Sequence, residues 1–346
     1  MDKKITYDSA GVSIDRGNDL VDRIKKITSR RRNNPDVLSG IGGFAGLFRV
    51  PAGYREPVLV SSTDGVGTKL KLAFEMNMHD TIGYDLVAMS VNDILVTGAR
   101  PLFFLDYFAT SKLDVDTAEK VVKGIFEACD SCDVELSGGE TAELPGFYTE
   151  GEYDLAGFAV GVVERTEIAN VNSVKEGDLV YALPSTGLHS NGYSLARKVY
   201  QEVLKWDLKD TFPGSELSVG EILLAPTRLY VKPVLELLRL RLVKTMVHVT
   251  GGGLIENPPR SLPAGLGMDI KSDSWPVPAV FTEMQKAGID QEEMYRTFNM
   301  GLGFLMTVSP EKAAMLERTL QKMAEPFYKV GTVTKRVDNK KDTRFI

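Results

Sequence analysis

Long apolar runs and an excess of positive charge are both absent from this chain of 346 residues. No apolar stretch approaches the ~20 residues that a transmembrane helix needs, and the first six residues lack the apolar core of a signal peptide. Acidic residues outnumber basic ones by 47 to 41, for a net charge of −6, whereas nucleic-acid-binding domains usually carry a basic face. These absences predict a cytoplasmic protein that binds neither a membrane nor a nucleic acid.

Cysteine is also scarce, since Cys129 and Cys132 are the only two residues of this type. Both fall at the predicted C-terminal end of a helix, whereas a redox pair of the thioredoxin type lies at a helix start. A structural zinc site needs further cysteine or histidine ligands nearby, and the sequence does not supply them. We therefore interpret the pair as reduced thiols.

The length of the chain predicts two domains, and its 43% apolar and 25% charged residues are ordinary for a globular protein. A change of composition near residues 170–177 marks the boundary. We predict an N-terminal arm with a helix and a Gly-rich flap at 1–56, a first domain at 57–170 and a second at 171–346. Strands and helices alternate along the chain, which predicts α/β layers with mixed strand pairing.

Capping signals predict two helix starts. We expect Asn18 or Asp19 to cap a helix, and a capping box from Asp116 to Glu119 to open a later one. A helix predicted over 82–97 is apolar on nearly every side, yet it contains acidic residues. A buried carboxylate there must be paired or bind a metal.

Three acidic residues of the first half are predicted to lie beside glycines or near a helix end. Asp64 follows an apolar strand and opens a glycine-containing loop that ends in Thr68 and Lys69. Such a loop suits a phosphate with a divalent cation, although a polar turn with an exposed lysine fits it as well. Asp93 lies in the apolar helix, and Glu140 lies in a glycine loop after another strand. Because oxygen ligands of this kind bind Mg²⁺ with nucleotide phosphates, we predict that the three carboxylates share one metal–nucleotide site.

The glycine-rich segment Ser39–Gly46 superficially matches the G-x-G-x-x-A dinucleotide fingerprint. The match lacks its structural context, because Asn33–Asp36 precedes it and no strand does. We interpret the segment as a flap that folds over a nucleotide. A flexible loop without a ligand is the alternative.

The second half contains two further candidate ligand sites. His189 lies in a strand-to-helix loop between small polar residues, which favours a substrate contact over a structural role. The triglycine Gly251–Gly253 follows a strand and precedes a helix, so its backbone amides are predicted to bind an anion. His79 and His248 have no comparable setting, and no nucleophile–base pattern for hydrolysis is evident.

These motifs carry a resemblance to a known family. The segment Asp93–Pro101 matches the D-x4-G-A-x-P signature of the aminoimidazole ribonucleotide synthetase superfamily, which includes thiamine-monophosphate kinase and selenophosphate synthetase. Within that superfamily the whole chain resembles the phosphoribosylformylglycinamidine cyclo-ligase family. The matching blocks span nearly the full length: Ser62–Lys69, His79–Gly83, Gly138–Glu143, Gly187–Ser194, Thr250–Gly253 and Phe298–Gly301.

The resemblance implies a ferredoxin-like N-terminal domain whose sheet joins that of a second copy as a barrel, in a homodimer, and a mixed α/β C-terminal domain. It implies ATP-dependent closure of formylglycinamidine ribonucleotide to aminoimidazole ribonucleotide, with ATP under the Gly40–Gly46 flap. Mg²⁺ is the implied metal, and the need for a monovalent cation stays open. Two alternatives remain: a small-molecule kinase of the same superfamily, which the second-half blocks disfavour, and a non-catalytic nucleotide-binding module, which the complete set of acids disfavours.

The resemblance also implies a role for each site residue. Asp64, Asp93 and Glu140 are implied to bind Mg²⁺. The residues implied to bind the nucleotide are Gly42, Gly43, Thr68, Lys69, Asn92 and Asp93. The residues implied to bind the substrate are His189, Ser190, Asn191 and Asn299, and its ribose phosphate is implied to bind at Gly251, Gly252 and Gly253. Lys69, Asp93 and His189 are the implied catalytic residues, with His189 in a polar or proton-transfer role at the formyl amide.

Overall fold

The computed structural model describes residues 7, 10–30, 34–337 and 340–346. The predicted N-terminal arm therefore falls partly outside the described residues, at 1–6, 8–9 and 31–33. None of the described helices is both long and apolar enough to cross a membrane.

Two separate β-sheets organise the chain, one in each half. The first contains β1 (Pro57–Gly65), β2 (Arg100–Thr110), β3 (Glu135–Glu143) and β4 (Tyr153–Glu164), in the order β1-β4-β2-β3. The second contains β5 (Leu179–Pro184), β6 (Thr245–His248), β7 (Leu266–Ile270), β8 (Leu302–Val308), β9 (Tyr328–Lys335) and β10 (Thr343–Phe345), in the order β10-β7-β9-β5-β8-β6. Each sheet has one parallel pair, β2–β3 and β7–β10, among antiparallel ones. The predicted mixed α/β class is confirmed.

Eleven helices are assigned in the described residues, and they separate most of the strands. They are α1 (Ile14–Thr28), α2 (Lys69–Met76), α3 (Ile82–Val96), α4 (Val115–Ser131), α5 (Tyr193–Arg197), α6 (Val219–Leu223), α7 (Val231–Arg239), α8 (Gly253–Glu256), α9 (Ala279–Lys286), α10 (Gln291–Thr297) and α11 (Pro310–Lys322). A π-helical turn over Lys198–Val203 continues α5. The sequence pattern missed the short elements α6, β7, α10 and β10, because three to seven residues carry little periodicity.

Two predicted helix starts are wrong by a few residues. Helix α1 begins after Ser13, whose side chain accepts a hydrogen bond from the Arg16 amide, and not at Asn18 or Asp19. Helix α4 begins after Asp114, whose carboxylate accepts from the Thr117 amide at 2.7 Å, and not at Asp116. In both cases the cap residue has the extended backbone that a cap requires, and the predicted residues already lie inside the helix.

Helix α3 is the element that joins the two halves. It packs with α4 on one face of the first sheet, and it also contacts β6 and α7 of the second half. Almost every residue from Ile82 to Leu95 is buried, as its all-round apolar pattern predicts. Helices α3 and α4 approach closely at Gly83, where an added Cβ would lie 2.2 Å from the Ile125 nitrogen. The polar residues of α3 are therefore held in a rigid setting.

Candidate active site

One of the predicted metal ligands, Asp93, lines a cleft between the halves, and a second, Asp64, lies within electrostatic range of it. Asp64 lies near the end of β1, Asp93 lies in the last turn of α3, and His248 ends β6. The Asp93 carboxylate contacts His248 Nδ1 at 2.8 Å, and its side chain stays 45% exposed. A cleft of about 400 Å³ opens at this pair and is also lined by Thr250, Asn257 and Arg260, among others.

Asp64 interacts electrostatically with Asp93 and His248. Burial raises the pKa of Asp64, and the negative charge of Asp93 raises it further, while the Gly65 amide and His248 oppose that rise. A divalent cation beside two carboxylates removes the repulsion between them. Asp64 and Asp93 supply oxygen ligands of the kind that Mg²⁺ prefers, but with His248 they do not form a group of three potential metal ligands among the described residues.

Glu140 lies elsewhere, and the predicted convergence of three carboxylates does not occur within one chain. In the register of the first sheet, Asp64 of β1 pairs with Gly157 of β4, Gly157 pairs with Asp106 of β2, and Asp106 pairs with Gly139 of β3. Asp64 and Gly139 are therefore three strand spacings apart, about 14 Å. Glu140 is the next residue along β3, and alternation turns its side chain to the opposite face. In keeping with this, no group of three or more potential metal ligands occurs among the described residues.

The predicted loops around Asp64 and Glu140 are strands in the structure. Asp64 pairs with Gly157 inside the β1–β4 ladder, and Glu140 pairs with Tyr107 inside the β2–β3 ladder. The glycines suggested loops, but pairing with neighbouring strands overrides the low strand propensity of glycine.

Lys69 is buried between the halves. Its Nζ donates to Asp85 Oδ1 at 2.8 Å and to the carbonyls of His189 at 3.0 Å and Ala225 at 2.7 Å. Burial lowers the pKa of Lys69, and the adjacent Asp85 charge counters the effect. All three ammonium hydrogens have protein acceptors, so Lys69 has no donor left for the predicted phosphate contact in this conformation. The prediction that a buried carboxylate in α3 must be paired is confirmed by Asp85.

Helix α3 binds the segment 225–230 of the second half through two further side chains. Asp85 Oδ1 accepts from the backbone amide of Thr227 at 2.8 Å and from its hydroxyl at 2.6 Å. Asn92, predicted to contact the nucleotide, is fully buried, donates to the Arg228 carbonyl at 2.9 Å and accepts from the Tyr230 amide at 3.1 Å. These contacts form an interlobe lock, which we define as Lys69, Asp85 and Asn92 with segment 225–230.

The His189 loop is packed against this lock. His189 is fully buried, has a left-handed backbone with φ of 62°, and accepts from the Thr186 amide through Nε2 at 3.3 Å. Burial lowers the pKa of His189 well below its usual value, and the positive charges of His248, Lys69 and Arg228 act in the same direction. His189 is therefore neutral, and Nδ1 has no protein partner.

The other predicted substrate residues of this region differ in their accessibility. Asn299 is buried, donates to the Gly187 carbonyl at 2.9 Å and accepts from Ser185 and Gly301, so it braces the loop. The Ser190 hydroxyl lies 3.1 Å from that of Thr227. Asn191 reaches toward the triglycine, because its Oδ1 would lie 3.7 Å from a Cβ at Gly251.

The triglycine turn has the conformation that glycine allows. Gly252 and Gly253 have φ of 95° and 54°, and a Cβ at Gly253 would lie 2.3 Å from the Tyr295 carbonyl oxygen. Asn257 braces the turn, since it accepts from the Thr250 amide at 2.7 Å and donates to the Gly251 carbonyl at 2.9 Å. The Gly253 amide is already used by the Thr250 carbonyl.

A second and larger pocket, of about 730 Å³, lies under the predicted flap. Its walls come from α1, α4 and β2, from the flap itself and from the exposed edge of β3. The base of the flap is closed by a bridge between Val37 and Phe48 and by a bond from the Leu38 amide to the Leu47 carbonyl at 2.8 Å. Gly42 and Gly43 both line the pocket. Thr68 lies outside it, and its hydroxyl is 3.1 Å from that of Ser194.

Comparison with known proteins decides the family. The family models "AIR synthase related protein, N-terminal domain" and "AIR synthase related protein, C-terminal domain" match residues 44–163 and 175–341. The phosphoribosylformylglycinamidine cyclo-ligase of Thermoanaerobacter sp. (strain X514) is 52% identical over 330 residues, covering 95% of this chain and 97% of that protein. The cyclo-ligase of Burkholderia lata is 53% identical, with coverages of 95% and 93%. This chain belongs to the phosphoribosylformylglycinamidine cyclo-ligase family.

Solved structures share the fold of this cyclo-ligase family chain at low identity. Thiamine-monophosphate kinase from Stenotrophomonas maltophilia K279a aligns with a TM-score of 0.68 and 21% identity, over 94% of this chain and 95% of the kinase. The hydrogenase maturation protein HypE in complex with ATP aligns with a TM-score of 0.64 and 16% identity, over 92% and 90%. T. maritima PurL complexed with AMPPCP aligns with a TM-score of 0.55 and 14% identity, over 93% of this chain and 45% of PurL.

Sequence reasoning missed two side chains that line the pockets of this cyclo-ligase family chain. His248 contacts Asp93, and its position at the end of a strand just before the triglycine was the available signal. Asp106 lines the flap pocket, and the signal was a lone acid inside the apolar strand β2. A lone acid in an apolar strand is notable because burying an unpaired carboxylate is unfavourable.

Proposed function

We propose that this chain catalyses the ATP-dependent ring closure of formylglycinamidine ribonucleotide to aminoimidazole ribonucleotide, the fifth step of de novo purine synthesis, with release of ADP and phosphate. The observation that carries this proposal is identity of 52–53% to curated cyclo-ligases over 95% of the chain. The small-molecule kinase alternative has weaker support, because the kinase neighbour is only 21% identical and shows the fold alone.

The reaction needs activation of an amide oxygen, which is a poor leaving group. The γ-phosphoryl group of ATP passes to the formyl amide oxygen, so that the bond to ADP breaks and a new P–O bond forms. The amidine nitrogen then attacks the formyl carbon, the oxygen leaves as phosphate and the imidazole closes. Catalysis of this kind depends mainly on positioning and on stabilising the charge of the transferred group.

The two pockets divide these tasks in our proposal. The flap pocket takes ATP, with the Gly42 and Gly43 backbone beside it, and the interlobe cleft takes the formylglycinamidine ribonucleotide. Asp64 and Asp93 would hold Mg²⁺, which neutralises phosphate charge when bound. His248 orients the Asp93 carboxylate through the 2.8 Å contact.

The substrate contacts we propose in the cleft are Ser190, Asn191 and the triglycine turn, which would receive the ribose phosphate. Thr250 and Arg260 on the same wall supply further donors for an anion. A direct role for His189 at the formyl amide requires its loop to open, because the ring is enclosed. We assign His189 and Asn299 to positioning of that loop.

A homodimer would explain the position of Glu140. Helices cover one face of the first sheet, whereas the other face exposes large side chains such as Leu59 (59%), Tyr107 (41%) and Phe158 (41%). Exposed apolar groups on one sheet face favour association with a second copy. Glu140 lies on this open face, in register with Tyr107. We therefore propose that the ferredoxin-like domain, within 57–170, pairs with its copy as a barrel, and that Glu140 serves the partner's cleft.

The test is the identity of the products. Purified protein is incubated with formylglycinamidine ribonucleotide, ATP and Mg²⁺, and the products are identified by mass spectrometry. We expect aminoimidazole ribonucleotide, ADP and phosphate in equal amounts. A phosphorylated acceptor without ring closure would support the kinase alternative, and absence of substrate-stimulated ADP release would support a non-catalytic module.

A further inference from the structure

The flap pocket has apolar walls and few charged groups. Its apolar lining comes from Val21 and Ile24 of α1, Leu105 of β2, Val122 of α4 and Leu136 of β3. Among the described residues that line it, only two carry charge-bearing side chains. These are Glu140 at the β3 edge and Asp106 in the middle of the sheet. Apolar walls with one or two fixed polar groups are typical of a site for a flat aromatic ring.

Asp106 lies between two glycines of the neighbouring strands, which leave space for its carboxyl group. Its register partners on both sides, Gly157 and Gly139, are glycines. A Cβ at Gly139 would lie 2.1 Å from Asp106 Oδ1, so any other residue there would displace the carboxyl group. The sheet therefore leaves room for this carboxyl group at the pocket wall.

The surroundings of Asp106 favour its neutral form. Burial raises the pKa of Asp106 to about 7, against the effect of its own backbone amide. Three other titratable groups lie near the pocket or Asp106. Cys129 of α4 interacts electrostatically with Asp106, Glu140 of β3 lines the pocket, and Lys25 of α1 has its Cε 3.7 Å from the position of a Cβ at Gly42. The flap segment 39–46 contains no titratable side chain.

A neutral carboxyl group has one O–H donor and one C=O acceptor side by side, whereas a carboxylate only accepts. The Watson–Crick edge of adenine presents the complementary pair, a ring-nitrogen acceptor beside the N6 amino donor.

We propose that Asp106 is the residue that hydrogen-bonds, in its protonated form, to the adenine edge of ATP in the flap pocket. This inference rests on the proposed function, because that function places ATP in this pocket. It adds the side chain that binds the base, and it assigns the apolar lining to the two faces of the ring.

The test uses two substitutions of Asp106 with opposite expectations. Asp106→Asn keeps a donor and an acceptor side by side at every pH, so KM for ATP at pH 7 should stay within about threefold of the parent chain. Asp106→Ala removes both groups and should raise KM for ATP about 10- to 100-fold with little change in kcat, as expected for lost hydrogen bonds to a bound ring. Glu127→Gln, an exposed acid of α4, is the matched control and should change neither constant.

The dependence of KM for ATP on pH distinguishes hydrogen bonding by Asp106 from a purely structural role, which would leave that dependence unchanged. In the parent chain KM for ATP should rise as pH passes above about 7, because the ionised acid loses its donor. Asp106→Asn should abolish that rise. Unchanged KM for ATP in Asp106→Ala, or the same rise in Asp106→Asn, would overturn the inference. Failure of the proposed function would look different, since the parent chain itself would then form no aminoimidazole ribonucleotide.

Discussion

The interlobe cleft and the flap pocket are built in opposite ways. Behind the cleft, the interlobe lock fixes α3 to segment 225–230 through fully buried charges and amides. Around the flap pocket, glycines and apolar side chains form most of the walls, and the flap is closed at its base by the Val37–Phe48 bridge and the adjoining Leu38–Leu47 hydrogen bond. Under the proposed function, the groups in the cleft are held rigidly, whereas the proposed nucleotide site can adjust to ligand entry and release.

The largest effect should come from breaking the lock. Lys69→Met leaves Asp85 buried without its cation, and loss of one partner of a buried pair costs about 3–5 kcal/mol of unfolding free energy. Lys71→Met is the matched control on the same helix, because the Lys71–Glu152 pair is partly exposed and its loss should cost about 0–1 kcal/mol. Urea unfolding of both variants measures the difference. Equal stabilities would show that Lys69 does not hold the halves together.

The second-largest effect should be a loss of turnover without a loss of folding stability, on substitution of Asp93 in the cleft. Asp93→Asn removes a charge that is 45% exposed, so we expect a melting temperature close to the parent value. Turnover should fall about 100-fold or more, because the proposed Mg²⁺ site would lose one of its carboxylates and the transferred phosphoryl would lose the neutralising charge of the metal. A Mg²⁺ titration of kcat/KM checks this, and an unchanged Mg²⁺ dependence would remove Asp93 from the metal site.

The free energy of unfolding should depend on pH through Asp106, the buried acid of the flap pocket. Burial raises the pKa of Asp106 in the folded chain to about 7, above its ordinary value of 3.8, so folding favours its protonated form. The parent chain should therefore lose stability relative to Asp106→Asn as pH rises from about 4 to about 7, by about 1–3 kcal/mol in total. Unfolding at several pH values tests the sign. A difference that does not grow over this range would contradict the buried, neutral acid.

The smallest effect should come from the flap itself. Gly42 has φ of 109°, which an L side chain rarely adopts, whereas Gly43 has no such backbone and the nearest atom to an added Cβ is 3.7 Å away. Gly42→Ala should cost about 1 kcal/mol locally and raise KM for ATP a few-fold. Gly43→Ala is the matched control and should stay near the parent value. Equal KM values would argue that the Gly42 conformation is not needed for ATP binding.

Much of the fold could be predicted because hydrophobic periodicity is local. The apolar helix at 82–97, the strand before it and the strand at 153–163 all appear in the structure within a few residues. Helix starts were harder, because Ser13 and Asn18 are both acceptable caps and only packing chooses between them.

The site was less predictable because its contacts are non-local. Nothing near Lys69 in the sequence shows that Asp85 and the carbonyls of His189 and Ala225 will surround it. The face on which Glu140 lies depends on pairing with Tyr107 in another strand. The contact between Asp93 and His248 joins residues 155 positions apart. Spacing along the chain indicates chemistry, but register and packing decide which groups meet.

The most direct test of the account is complementation between two inactive variants. Glu140→Gln and Asp64→Asn are each expected to lose turnover, because each removes one carboxylate of the proposed shared site. If Glu140 serves the partner's cleft, a mixed dimer retains one intact site, so an equal mixture of refolded variants should recover about a quarter of the parent activity. No recovery, in mixtures that form mixed dimers, would contradict a site shared between two copies.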